Sequence, residues 1–548
     1  MAAKIPLSMQ KHWFVFVSVV AIFCSFAGAQ EPQATQTGRL GKVSFPTSCS
    51  TEAQPIFDQG IALLHSFQYA LANASFTQVL DKDPHCAMGY WGQAMILYHQ
   101  LWDWPQKDTL AEGLSLMQKA ARANAKTDRE RDYIRAATTF FEGGAEKSKS
   151  DRVKAYSAAM ADIYKKYPQD NDAAAFYALS LLSTRRDDKQ EAGPQALAIL
   201  KSLFAKEPDH PGAAHYLIHA ADTPVFAPEG LAAARRYAQI APDSAHALHM
   251  PAHIFTRLGM WQDSINSNLA SARSAFAATK SRRDNESGYQ LHAMHYLSYA
   301  YLQRGRNEEA LKMVDGISEI PGIEPRNVAN DGTVARALYL LETHQWQGFS
   351  QFSADRATNS FSRLRAYWAL TIAQSHLGNV EGARASAEKL HQALAALRKE
   401  NPESSPNNIW ALGGEAWLAF AQGKTDEALS KMRSAVTAEE DDFSQDDYSL
   451  PAQELMGDLL LELHRPEPAL TAYEASLKEA PNRFNSLYGA ARAAELAGQS
   501  AKARTYYSAL IKNADPLATR QEIQLAKTFL AENQSSGTTS LSGGQAKE

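Results

Sequence analysis

Between Asp209 and His295 the sequence gathers eight of its sixteen histidines into 87 residues. They come in bursts: His215 and His219, then His246, His249 and His253, then His292 and His295, with His210 just ahead of the first. Within each burst the spacing is three or four, which on a helix places the side chains on one face with Cβ atoms about 5–6 Å apart. Neutral imidazoles one turn apart can share a cation. Helices packed about 8–10 Å apart can be bridged by imidazoles that reach a metal at about 2.0–2.1 Å from both sides. Such a set, with a carboxylate, suits zinc, copper, iron or nickel and does not suit calcium or magnesium. The same residue types also line grooves that grip a peptide without any metal, and that reading stands beside the first.

Pro251 lies between His249 and His253. Inside a helix it removes a backbone hydrogen bond and kinks the chain, which would turn His246 and His249 relative to His253; alternatively it marks a late helix start after Pro242-Asp243-Ser244. Trp368, Trp410 and Trp417, with Arg365 nearby, form a second candidate surface, either an apolar groove floor or packing between helices. The segment Trp102-Asp103-Trp104-Pro105 reads as an enlarged loop between helices. Glu439 to Asp442, with Asp446 and Asp447, lacks calcium-loop spacing and reads as a solvated acidic turn. Leu541-Ser-Gly-Gly-Gln545 matches a transport-ATPase signature, but no phosphate-cradling loop accompanies it. The familiar hydrolase, zinc-protease, Cys-x-x-Cys and dinucleotide motifs are also absent, so no catalytic residue is assigned and the chain leans away from being an enzyme.

The elements that must position these residues follow from length and pattern. A chain of 548 residues exceeds one ordinary core and requires several domains or a repeat array. With 55 basic and 60 acidic residues, net charge −5, nothing points to nucleic acid or an anionic membrane. Lys4, Lys11 and His12 precede the apolar run Trp13 to Phe26 and the Ala27-Gly28-Ala29 step, the layout of a secretory signal over 1–29. The apolar run falls short of the roughly 20 residues a spanning helix needs, and no later window approaches one. The expected destination is the periplasm or the exterior. Cleavage would leave Cys49 and Cys86, an even pair in a compartment that permits a disulfide.

Beyond a polar linker over 30–44 the sequence is helical throughout, with no strand-like alternation. Ala72, Phe76, Val79 and Pro84 are spaced four, three and five apart, with Gly60 twelve residues ahead of Ala72. Ala469, Tyr473, Ser476 and Pro481 repeat that spacing with Gly457 ahead, and the next unit has Ala491, Ala503, Tyr507 and Leu510. This pattern resembles the tetratricopeptide repeat, a helix–turn–helix unit of about 34 residues. Looser matches cover most of the chain. The resemblance implies an all-α, right-handed superhelical solenoid with a concave groove. The organisation expected is a helical block over 45–316, a Gly/Pro-rich break over 317–330, a second block over 331–533 and a polar tail over 534–548.

In tetratricopeptide families the first helix of each unit lines the groove. Set in that register, His215, His219, His246, His249, His253, His292 and His295 share the groove with Asp331, while His210 falls outside it. The run His246 to Trp261 also looks like a segment of exported bacterial repeat proteins. The resemblance thus implies an exported scaffold that receives a protein segment or small ligand. The alternative is a metalloprotein or metal-dependent enzyme, a hydrolase or oxidase, holding zinc, copper or iron on those histidines, with Asp331, Asp222 or Tyr216 assisting.

Overall fold

The computed structural model describes residues 39–101, 104–184, 191–281, 285–400, 409–440 and 449–534. The expected signal, most of the linker, Trp102 and Asp103, the acidic positions 441–442 and 446–447 and the polar tail beyond 534 lie outside them. All described residues fall within one compact unit. They form an all-α solenoid: consecutive helices pair from Gln54–His65 to Gln521–Gln534, and no strand occurs among the described residues.

The small residues of the repeat are small because a ring sits against them. A Cβ at Gly60 or Gly92 would lie within 2.7 Å of the Phe76 ring, and one at Gly457 or Gly489 within 2.7 Å of Tyr473. One aromatic on the second helix of a pair is thus wedged between the first helices of two successive pairs. Phe76 and Tyr473 are both essentially fully buried, each such burial stabilising the stack by about 1.5–3 kcal/mol. The turn inside each pair needs a left-handed residue, supplied by Gly259, Gly305, Gly378, Gly423 and Gly498.

Helix starts follow local chemistry. Thr127 and Glu130 form a reciprocal capping box, and the Asn359 side chain accepts from the Ser362 amide. Pro211 and Pro325 each open a helix, where a missing N–H costs nothing. Within the expected 317–330 break the chain makes a 3-10 turn, Gly316–Glu319, and Pro325 then starts the helix Pro325–Glu342. One apolar cluster runs as far as Phe255 and another begins at Trp261.

Cys49 and Cys86 are joined in a disulfide that ties the entry segment to the third helix. The solenoid also doubles back on itself. Tyr289 Oη donates to the Phe67 carbonyl at 2.9 Å, and Trp261 Nε1 donates to the Asn482 carbonyl at 2.9 Å. Arg304 donates to the Asn513 carbonyl at 2.7 Å while its own carbonyl accepts from Asp515. These contacts join segments some two hundred residues apart, so the middle helices are held from both sides. No described helix is long and apolar enough to cross a membrane.

Candidate metal centre

The histidines reach the middle of this arrangement from four helical segments. The helix Pro211–Ala221 carries His215 and His219, and its N-terminus is capped by the His210 ring accepting from the Ala213 amide at 3.2 Å. Ser244 caps Ala245–His249, which carries His246 and His249. That helix begins before Pro251 and is interrupted by it. Met250 keeps helical angles, φ −50° and ψ −37°, and a second segment, Pro251–Arg257, carries His253. His292 comes from Ser287–Gln303.

Six of these side chains meet as two triads. His215, His219 and His246 form one, and His249, His253 and His292 the other; within each, a set of donor atoms lies within 4.8 Å of one another. His215 Nε2 is 3.1 Å from His219 Nε2 and 3.0 Å from His246 Nε2, and His249 Nε2 is 3.0 Å from His253 Nε2.

The other ring nitrogens decide what these close approaches mean. His215 Nδ1 lies 2.6 Å from the His65 carbonyl, which can only accept, so Nδ1 carries the proton and Nε2 a bare lone pair. The Asn268 amide nitrogen donates to the Ser264 carbonyl at 2.9 Å, which turns Asn268 Oδ1 toward His249 Nδ1 at 2.6 Å and protonates that nitrogen too. His253 Nδ1 donates to Asp222 Oδ2 at 2.9 Å, with the Tyr296 hydroxyl also in reach at 3.0 Å. His249 and His253 therefore point two lone pairs at each other, an arrangement that repels unless a cation or proton lies between.

A proton is disfavoured there. Burial, and then the proximity of other imidazoles, holds His246 and His249 well below the ordinary histidine range. Burial also pushes His215 and His292 down to about 3. Burial opposes charge on Asp222 as well, but Arg257 and His253 beside it keep its carboxyl ionised. His215, His246, His249 and His292 are thus held as neutral imidazoles, with the Asp222 carboxylate behind the cluster. Nitrogens held 2.0–2.1 Å from a four-coordinate ion lie roughly 3–3.4 Å apart, which the His215–His219, His215–His246 and His249–His253 approaches of 3.0–3.1 Å match.

His295 and Asp331 stand outside both triads. Their nearest polar atoms are 3.7 Å apart, and burial followed by the Arg365 charge lowers His295 to about 4. Trp368 and Trp417 are buried in the second apolar cluster, and Trp410 is half-buried against Phe361 and Arg365. The aromatic surface expected at these positions is packing between helices.

Several participants carried no sequence signal. His65 supplies the carbonyl behind His215, while its own ring joins Tyr216, Asp172 and His210 in a buried network. Although burial opposes it, hydrogen bonds from His210 and His65 hold the Asp172 carboxyl below its usual range. Phe67 occupies the left-handed turn position that glycine fills in later pairs, at φ 55°. A bulky residue there costs about 1–3 kcal/mol and persists only where its surroundings over-determine it. Its ring lies 4.5 Å from that of His215, 5.7 Å from His246 and 6.0 Å from His219, walling the first triad. Tyr296 does the same for the second, 4.8 Å from His249, 5.1 Å from His253 and 5.3 Å from His292.

Comparison with known proteins bears on the scaffold. A tetratricopeptide-repeat family model matches residues 57–126 and 455–518. No curated protein matches the chain. Among solved structures, it is similar to the Cut9–Hcn1 hetero-tetramer of the APC/C at 11% identity, covering 88% of this chain and 97% of that one with a TM-score of 0.30. It is also similar to a human IFIT1 dimer with PPP-AAAA, at 14% identity, 83% and 90% coverage and a TM-score of 0.36. A tetratricopeptide repeat protein from Parabacteroides merdae is 13% identical over 53% of this chain and 98% of its own, with a TM-score of 0.28. The fold is accordingly an all-α solenoid with tetratricopeptide-repeat segments near both ends, an architecture that presents extended surfaces for protein partners.

Proposed function

We propose that this protein is an exported repeat scaffold that holds a transition metal on its clustered histidines. The observation that carries the reading is the 3.0 Å approach of His249 Nε2 to His253 Nε2 while both Nδ1 atoms are committed as donors, to Asn268 and Asp222. A peptide-gripping groove has no need to oppose lone pairs. A metal site requires it, with each ligand oriented from behind by an acceptor. Imidazole ligation suits zinc, copper or iron. The Cys49–Cys86 disulfide supports an oxidising compartment, in keeping with a signal at 1–29.

The solenoid around the site supports a second role, binding a protein segment, because stacked repeats offer more surface than six imidazoles occupy. The experiment is elemental analysis of untagged protein purified without chelator, with melting curves before and after chelation. At least one equivalent of metal per chain, and a lower melting temperature once it is removed, are expected. Metal below 0.1 equivalent on the order of contamination, with no change in melting, leaves only the protein-binding scaffold.

A further inference from the structure

We propose that the two triads are one site: they hold two ions side by side, and the pair takes a small bridging anion, hydroxide from water in the resting state. The inference rests on the metal-binding reading above and adds the nuclearity and the ligand class. Three observations carry it.

The triads are adjacent turns of the same structure. His246 and His249 are one helical turn apart yet serve different triads, and their rings are 6.4 Å apart. His219 and His253, half-buried members of the two sets, have ring centroids 6.2 Å apart. These separations match the widest ones within the triads, 6.4 Å for His219–His246 and 6.1 Å for His253–His292, so the two sets are contiguous, as the ligand sets of paired-metal centres are.

Each triad supplies three ligands, which leaves a fourth position for something else. Phe67 walls the first triad and Tyr296 the second. With aromatic rings on those sides, the fourth positions are left to the space between the triads, where one exogenous atom can serve both ions.

Charge selects that atom. Two divalent ions bring four positive charges, and all six ligands are neutral imidazoles. Asp222 is the carboxylate hydrogen-bonded behind them, and its other oxygen is already taken by Arg257 at 2.9 Å. Asp172 lies further back, bonded to His65 and His210. A partly buried positive excess of this size favours an anion strongly. Bound water meets the need by ionising: one O–H bond breaks, hydroxide stays between the ions and the proton leaves to solvent. Paired-metal sites that hydrolyse phosphates balance their charge with carboxylate ligands; this site, lacking them, is built to accept an anion from outside.

The test loads metal-free full-length protein with copper(II) and counts ions and unpaired spins. Two ions per chain are expected, with spins integrating to well below two because the bridge couples them, and added azide should give a new charge-transfer band. His219→Gln and His292→Gln, each altering a half-buried member of one triad, should bind one ion whose spin integrates fully. His295→Ala should behave as the wild type. Two ions with two full spins would overturn the bridge, and one ion in the wild type would overturn the pair, while both leave the metal-binding reading intact. No bound copper in folded wild-type protein would overturn both.

Discussion

Two buried polar clusters hold the middle of this molecule, and they solve opposite problems. In the cluster around Arg483 every donor meets an acceptor. The fully buried guanidinium donates to Glu454 at 2.5 and 2.8 Å, to Glu342 at 2.9 Å and to the Tyr299 hydroxyl at 2.6 Å. Ser486 donates to Glu454, and Asn485 and Gln303 donate to Glu342. In the histidine cluster, His249 and His253 instead aim acceptor at acceptor, at 3.0 Å. The first is complete with the protein's own atoms and locks the helices Ser287–Gln303, Pro325–Glu342, Ala452–Glu462 and Phe484–Leu496 together. The second is completed only by something from outside. That contrast separates a structural knot from a ligand site, although both are buried and dense in titratable groups.

The comparison breaks first at Arg483. Arg483→Met should destabilise the protein by about 3–5 kcal/mol, because it strands two buried carboxylates. The metal content of the fraction that remains folded should not change. Denaturant melts with parallel elemental analysis check both halves, and a loss of metal at unchanged stability would mean the two clusters are not separate in role.

The next effect belongs to the orienting shell. Asn268→Leu removes the acceptor that sets the His249 tautomer and should weaken metal binding about 10–100-fold, or roughly 1.4–2.7 kcal/mol. His295→Ala, three histidines further along the same run than His249 yet outside both triads, should leave affinity within the error of the titration. Competition against a chromophoric chelator reads both. Equal losses would restore a seven-histidine groove in place of two triads.

The smallest effect is in pH dependence, where the clusters pull in opposite directions. His215 and His292 are pushed down to about 3 from an ordinary 6.5, so in metal-free protein the unfolded chain binds protons that the folded chain does not. Stability contributed there is full above about 6.5 and falls as pH drops toward 3. Asp458, raised to about 8 by burial and then by the neighbouring Glu454 charge, keeps a proton that the unfolded chain gives up above about 4. Its contribution falls as pH climbs from about 4 to 8. Asp458→Asn should therefore flatten the alkaline side of the stability profile and leave the acid side as it was. Thermal melts from pH 4 to 9 would show it.

The repeat was legible because its signals are local. Gly60, Phe76, Gly457 and Tyr473 sit at spacings that one helix pair dictates, and the structure shows the reason by putting Gly60 against Phe76 and Gly457 against Tyr473. Which helices carry the histidines was legible for the same reason, as was the interruption at Pro251. What was not legible depends on where distant helices meet. His65 and Phe67 lie some 150 residues before the histidines they support, in a segment with nothing to mark it. Trp368 and Trp417 had the right register for a groove, yet lie in the packing, because register gives a direction from one helix and says nothing of how closely its neighbours approach.

Local spacing, turn chemistry and composition by themselves determined an all-α repeat architecture and a run of histidines on one side of successive helices. Only the tertiary structure decided that six of those seven histidines split into two triads. It also decided that His295 is left to Asp331 and that His249 and His253 meet lone pair to lone pair. The physical reason is that ligand geometry depends on which acceptor stands behind each ring. Those acceptors, the His65 carbonyl, Asn268 and Asp222, are brought there by packing between helices that no local pattern relates.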